Sequence, residues 1–142
     1  MKAILCALDF TKASGEALKE AIRLANEKKT HLIVLYTYRL LYTNGLSLAE
    51  YRKQVEAKAR EEFELLLSNQ QVNQKLPIEF IIEIGFLSDR IESYVAKNKV
   101  ECLVMCEKLA QTMNENLGIS LEHFTASLKI PVVIIPESLE IG

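Results

Sequence analysis

"AILCALDFTKASGEALKEAIRLANEKKTHLIVLYT" runs from Ala3 to Thr37, and its reading decides the fold. The first six residues, Ala3 to Leu8, are all apolar and have the length of a strand. An apolar run without alternation suits a strand buried on both faces. "ASGEALKEAIRLANEKK" then changes period, with Ala17, Leu18, Ala21, Ile22, Leu24 and Ala25 on one helical face. Small residues on that face let the helix lie close to a sheet. "HLIVLYT", His31 to Thr37, is a second apolar strand.

The same alternation continues outward. "YRLLYTNG" reads as a loop ending in the turn signal Asn44-Gly45, and Ser47 with Glu50 forms a capping-box signature. The helix after it carries Leu48, Tyr51, Val55, Ala59, Phe63 and Leu66 on one face, with Lys, Arg and Glu opposite. "NQQVNQK" is a polar connection, and Pro77 introduces a third strand, Ile78 to Gly85. A helix over Ser88 to Asn98 buries Ile91, Tyr94 and Val95, and "CLVMC", Cys102 to Cys106, is the fourth strand. "CEKLAQTMNENLGIS", Cys106 to Ser120, reads as a loop. A helix with Leu121, Phe124 and Leu128 inward and a fifth strand, "PVVIIP", complete the pattern. Five strands alternating with four helices predict an α/β fold, a doubly wound parallel sheet with helices on both faces. Ile4, Leu8, Ile33, Leu35, Leu103 and Met105 should lie buried at its centre.

The chain has 142 residues, which fits a single domain over 1–142. With 49% of residues apolar, a core needs neither metals nor disulfides, and a net charge of -2 gives no basic footprint for nucleic acid. No apolar run reaches the length of a membrane span. "MKAILCALDF" has one lysine and a short apolar run, then Asp9 and Lys12, so it lacks the h-region of a signal peptide. The expected compartment is the cytoplasm.

In such sheets ligands bind at the carboxyl ends of the strands, where strand order reverses. If the first and fourth strands are the central pair, the crevice is built from Leu8, Asp9 and Phe10, from Tyr36 and Thr37, and from the loop after Cys106. A loop of that kind holds phosphate through glycine backbone N–H groups. This one has only Gly118, and Glu107 and Glu115 stand against Lys108 alone. One uncompensated like charge at close range costs roughly 1 to 4 kcal/mol, about one to three orders of magnitude in affinity.

Across nearly its whole length the sequence resembles the universal stress proteins. The carriers are "ILCALDFTKASGEALKEA", "IIEIG", "LVMC" and "SLKIPVVIIP", in matching order and spacing. The resemblance implies a Rossmann-like sheet of order 3-2-1-4-5 and cytoplasmic homodimers. It also implies roles in stress tolerance without a defined reaction. One branch of the family binds ATP through G-x-x-G-x(9)-G-[ST] after the fourth strand. Here the last glycine of that motif falls on Gly118, and the earlier two fall on Met105 and Lys108. Shifting the register by one puts them on Cys106 and Leu109. Ile119 stands where Ser or Thr is wanted, with Ser120 one further on.

Asp9 has two readings, contact with an adenine or ribose carried over from the family, and an N-terminal cap for the first helix. A phospho-receiver reading fails, because the third strand ends in Glu83, Ile84 and Gly85 and the fifth in Ile135 and Pro136. Cys102 and Cys106 would lie roughly 13 Å apart along a strand, too far for a disulfide or shared metal. With Cys6 they read as buried hydrophobes. His31 and His123 have no ligating partners at suitable spacing. Tyr36, Tyr38 and Tyr42 could stack on a base or cover the end of the core.

The expectation is therefore a non-catalytic, dimeric stress-response module that holds no cofactor and does not bind ATP. The alternative is an adenine-nucleotide-binding member with an atypical loop. A bound nucleotide would touch Asp9, Thr37, Gly118 and Ser120. No metal, nucleic acid or membrane is expected as partner. The homodimer should form through the apolar edge strand Val132 to Ile135, with a further protein partner unidentified.

Overall fold

Ala3–Ala7 (β1) is the strand around which the sheet is built, and all five of its residues are fully buried. The computed structural model describes residues 2–40, 45–72, 75–118 and 120–137. On one side β1 pairs in parallel with Leu32–Tyr38 (β2), Cys6 opposite Val34. On the other it pairs with Val100–Cys106 (β4), Leu5 opposite Leu103 and Cys6 opposite Val104. Ile78–Ile84 (β3) lies outside β2, and Val132–Ile135 (β5) lies outside β4. The order is β3-β2-β1-β4-β5, and every pairing is parallel.

Alternation along the strands divides the core in two. Leu5, Ala7, Leu103 and Met105 face Leu87–Ala96 (α3), Glu107–Leu117 (α4) and Leu121–Leu128 (α5). Ile4, Cys6, Leu8, Val34 and Val104 face Ser14–Glu27 (α1) and Leu48–Ser68 (α2). Ala17, Ala21 and Ala25 are fully buried, so α1 lies against the sheet with no long side chain between. All six residues expected at the centre are buried, from Ile4 to Met105.

Ser47 caps α2, its hydroxyl accepting from the Glu50 N–H at 3.2 Å. The expected apolar face of α2 is only partly used. Ala59 and Phe63 are buried, whereas Leu48 is 53% exposed. The cause is length. A helix of 21 residues spans about 31 Å, and a seven-residue strand covers roughly 23 Å. One end of the helix must overhang. Where it does meet the sheet, Phe63 stacks on Phe80 with centroids 4.3 Å apart.

The largest difference from expectation is the segment read as a loop after β4. Residues Glu107 to Leu117 form α4, so the described residues hold five helices rather than four. Glu, Lys, Leu, Ala, Gln and Met are all good helix formers, and no glycine or proline interrupts them before Gly118. Strand and helix ends otherwise move by a few residues at most. Tyr42, Asn44 and Ile119, and the side chains of Glu115 and Leu117, lie outside the described residues. No helix among the described residues is long and apolar enough to cross a membrane.

Candidate functional site

Asp9 leaves the sheet just beyond β1. Its Oδ1 accepts from the Thr11 N–H at 3.1 Å, the Thr11 hydroxyl at 2.7 Å and the Ser14 hydroxyl at 3.2 Å. Ala13, not Asp9, occupies the N-cap of α1 and offers no side-chain acceptor. Asp9 therefore organises the turn into α1 as an Asx-type acceptor and reaches the helix through the Ser14 hydroxyl. The next residue, Phe10, has φ 60, a left-handed conformation costing about 1–2 kcal/mol for a residue with Cβ. Contacts with Tyr36 at 5.1 Å and Phe80 at 6.2 Å between centroids hold it there.

Beside it, β4 runs directly into α4. Cys106 is in extended conformation and Glu107 already belongs to the helix. The Lys108 N–H, in the first turn, donates to Glu137 Oε1 at 3.0 Å. A carboxylate of the chain itself thus sits at the end of the helix that favours anions. Met105 is fully buried in the sheet, and Ala110 and Met113 carry α4 down onto the core. Of the two positions aligned with the motif's first glycines, one is core and the other is in a helical turn.

Gly118 and Ser120 sit elsewhere. Gly118 ends α4 in left-handed conformation, φ 69, its N–H donating to the Asn114 carbonyl at 3.0 Å. Ser120 caps α5, accepting from the His123 N–H at 3.1 Å. Eleven helical residues separate Gly118 from β4, about 16 Å along the axis. Thr37 lines a cavity of about 260 Å³ with Arg39, Ser88, Leu109, Thr112 and Met113. Asp9 is thus placed near Cys106, Thr37 opens on the α3–α4 side, and the other two form the α4–α5 turn. Arg39, Ser88 and Glu137 did not emerge from the sequence. Only the fold brings the ends of β2, β3 and β5 beside a helix terminus.

The three cysteines are buried and unbridged. Burial pushes the Cys6 thiol up, with Cys106 nearby adding to it. Burial also raises Cys106, with Asp9 and Glu137 contributing less, against the Leu109 N–H and Thr11 hydroxyl. Cys102 is raised by burial too. Tyr94 is pushed up to about 12 by burial and by Glu83, whose Oε1 its hydroxyl meets at 3.4 Å. For acids held neutral in the fold, stability is full below the unfolded pKa. It falls as pH rises from there towards the folded value. Thermal unfolding followed from pH 7 to 10.5 should show a Tm that is flat and then declines above about pH 8.5. A Tm rising through that range would contradict the burial of these groups. Among the described residues, no three His, Cys, Asp or Glu side chains are grouped to hold a metal.

The family model described as the universal stress protein family matches residues 1–136. Among solved structures, a universal stress protein in complex with cAMP is 18% identical with TM-score 0.64, covering 94% of this chain and 96% of the other. A universal stress protein from Lactobacillus plantarum is 18% identical with TM-score 0.62, covering 94% and 97%. The Archaeoglobus fulgidus protein in complex with dAMP is 13% identical with TM-score 0.63, covering 95% and 98%. At these identities the structural likeness speaks for the fold alone. No curated protein sequence matches the chain. The family match over nearly the whole length agrees with the sheet order and with the helices on both faces. This chain belongs to the universal stress protein family.

Proposed function

We propose that the protein is a non-catalytic stress-response module, acting in the cytoplasm as a homodimer and not holding ATP. The observation that carries this reading is the α4 N-terminus, where β4 passes into helix with no glycine loop and the Lys108 N–H is taken by Glu137. A triphosphate there would have to displace one carboxylate and lie close to another, Asp9. The dimer reading rests on β5, a sheet edge whose four residues are all half-buried aliphatics. An apolar edge of that kind pairs with something or aggregates.

A second reading, adenine-nucleotide binding, draws its support from the cAMP and dAMP complexes of the similar structures. In it Asp9 and Thr37 would meet the nucleoside, and Gly118 and Ser120 the phosphates. Isothermal titration with ATP and Mg²⁺ separates the two. The first reading expects no saturable binding tighter than about 10 µM, roughly -7 kcal/mol. Tighter binding would promote the second.

A further inference from the structure

The cavity beside Thr37 adjoins the β1–β4 crevice and shares Thr37, Leu109 and Met113 with the segments expected to build it, but its further lining comes from the β3–α3 turn and Arg39. Its volume is about 260 Å³, just under the roughly 300–1,000 Å³ of pockets for drug-sized ligands. The end of β2, the β3–α3 turn and one face of α4 enclose it. Gly85 makes that turn with φ +131, and a Cβ there would lie 3.2 Å from the Arg90 guanidinium.

Three features converge on the cavity. The first is the start of α3. Helix geometry leaves the N–H groups of Leu87, Ser88 and Asp89 without intrahelical acceptors. The N-cap is Phe86, which makes no side-chain capping bond. The second is Ser88, only 3% exposed. It lines the cavity, and its hydroxyl has no hydrogen-bond partner among the described residues. The third is Arg39 at the mouth, its guanidinium 4.2 Å from the Phe86 ring centroid. Among the described residues no Asp or Glu lines the cavity, and Asp89, the acidic residue of that helical turn, is exposed and outside the lining. The remaining wall is largely apolar, with Leu87, Leu109 and Met113.

A helix start, a buried hydroxyl and a guanidinium together favour an anion. The apolar wall favours a body without charge, and the volume limits its size. We propose that this cavity binds a small organic carboxylate. The head lies between the α3 N-terminus, Ser88 and Arg39, and the apolar body lies against Leu109 and Met113. Part of that apolar wall comes from α4, so the helix that closes the nucleotide crevice also helps form this site.

Amide and methyl NMR titration of the intact chain tests it, with hexanoate, 1-hexanol and inorganic phosphate as probes. Hexanoate should give saturable shifts at the Leu87, Ser88 and Asp89 amides and the Met113 methyl. Hexanol and phosphate should each bind at least about tenfold more weakly, since each lacks one half of the recognition. Arg39→Gln, an exposed substitution that leaves the core intact, should weaken hexanoate about fivefold or more. Ser88→Ala should weaken it in the same direction. Equal binding of hexanol and hexanoate would make the cavity a plain apolar hole. Shifts centred on the Lys108 and Leu109 amides, no saturation by about 10 mM, or affinity unchanged in both variants would equally overturn the proposal.

Discussion

Phe124→Ala should destabilise the protein by about 3–5 kcal/mol, the range for deleting a buried aromatic ring from a packed core. Phe124 is 1% exposed and is the largest of the fully buried side chains. It projects from α5, only eight residues long, into the core shared with Leu103, Met105 and Met113. So short a helix has little stability of its own, and tertiary burial holds it in place. Loss of the ring should therefore loosen α5 and the approach to β5 as well as open a cavity. Urea unfolding should show a lower midpoint at nearly constant slope. Leu65→Ala, at a side chain 67% exposed, should change stability by no more than about 0.5 kcal/mol. A cost below about 1 kcal/mol for Phe124→Ala would mean that α5 is not docked where the structure places it.

Ile134→Lys should dissociate the proposed dimer by about 100-fold or more, close to 2.7 kcal/mol. β5 bonds to β4 on one side, Met105 opposite Ile134, and among the described residues no strand lies on its other side. Ile134 and Val132 pack toward the α5 face, and Val133 and Ile135 toward the α1 face. A groove lined by Leu121, Ala126, Ile130, Val132 and Ile134 continues the apolar edge. Two copies meeting along β5 would bury both rows, and a two-fold interface makes each substitution count twice. Sedimentation equilibrium should find the unsubstituted chain dimeric at micromolar concentration and Ile134→Lys largely monomeric. Val133→Lys should act in the same direction from the other face. A monomeric unsubstituted chain would remove the dimer from the proposed function.

How much was legible in the sequence follows from what each signal measures. The apolar runs Ala3 to Leu8 and Leu32 to Leu35 give strands because such runs, broken by turn signals, suit only a sheet covered on both faces. The small-residue face of α1 and the Ser47 cap of α2 are local features, and the structure keeps both. The α4 helix was legible in principle. Leu109 and Met113 are four apart and Gly118 follows as a left-handed cap, which is a helical signature. Reading the segment by its place after a strand hid that periodicity.

The site residues were less legible, because their meeting is not a local property. Asp9 was visible as the polar residue ending an apolar run, but its Thr11 and Ser14 partners depend on how Phe10 turns the chain. Nothing within 29 residues of sequence separation announces that Glu137 will reach the Lys108 N–H. Nor does any spacing link Arg39 to Phe86 and Ser88. Sequence by itself determined the alternation of strands and helices, the parallel sheet and the residues at its centre, while the strand order came from the family resemblance. Period and apolar length act within a few residues, and right-handed crossovers leave few ways to assemble them. Only the tertiary structure decided which groups stand at the strand ends. That choice rests on contacts between segments far apart in the chain, set by sheet register and helix docking.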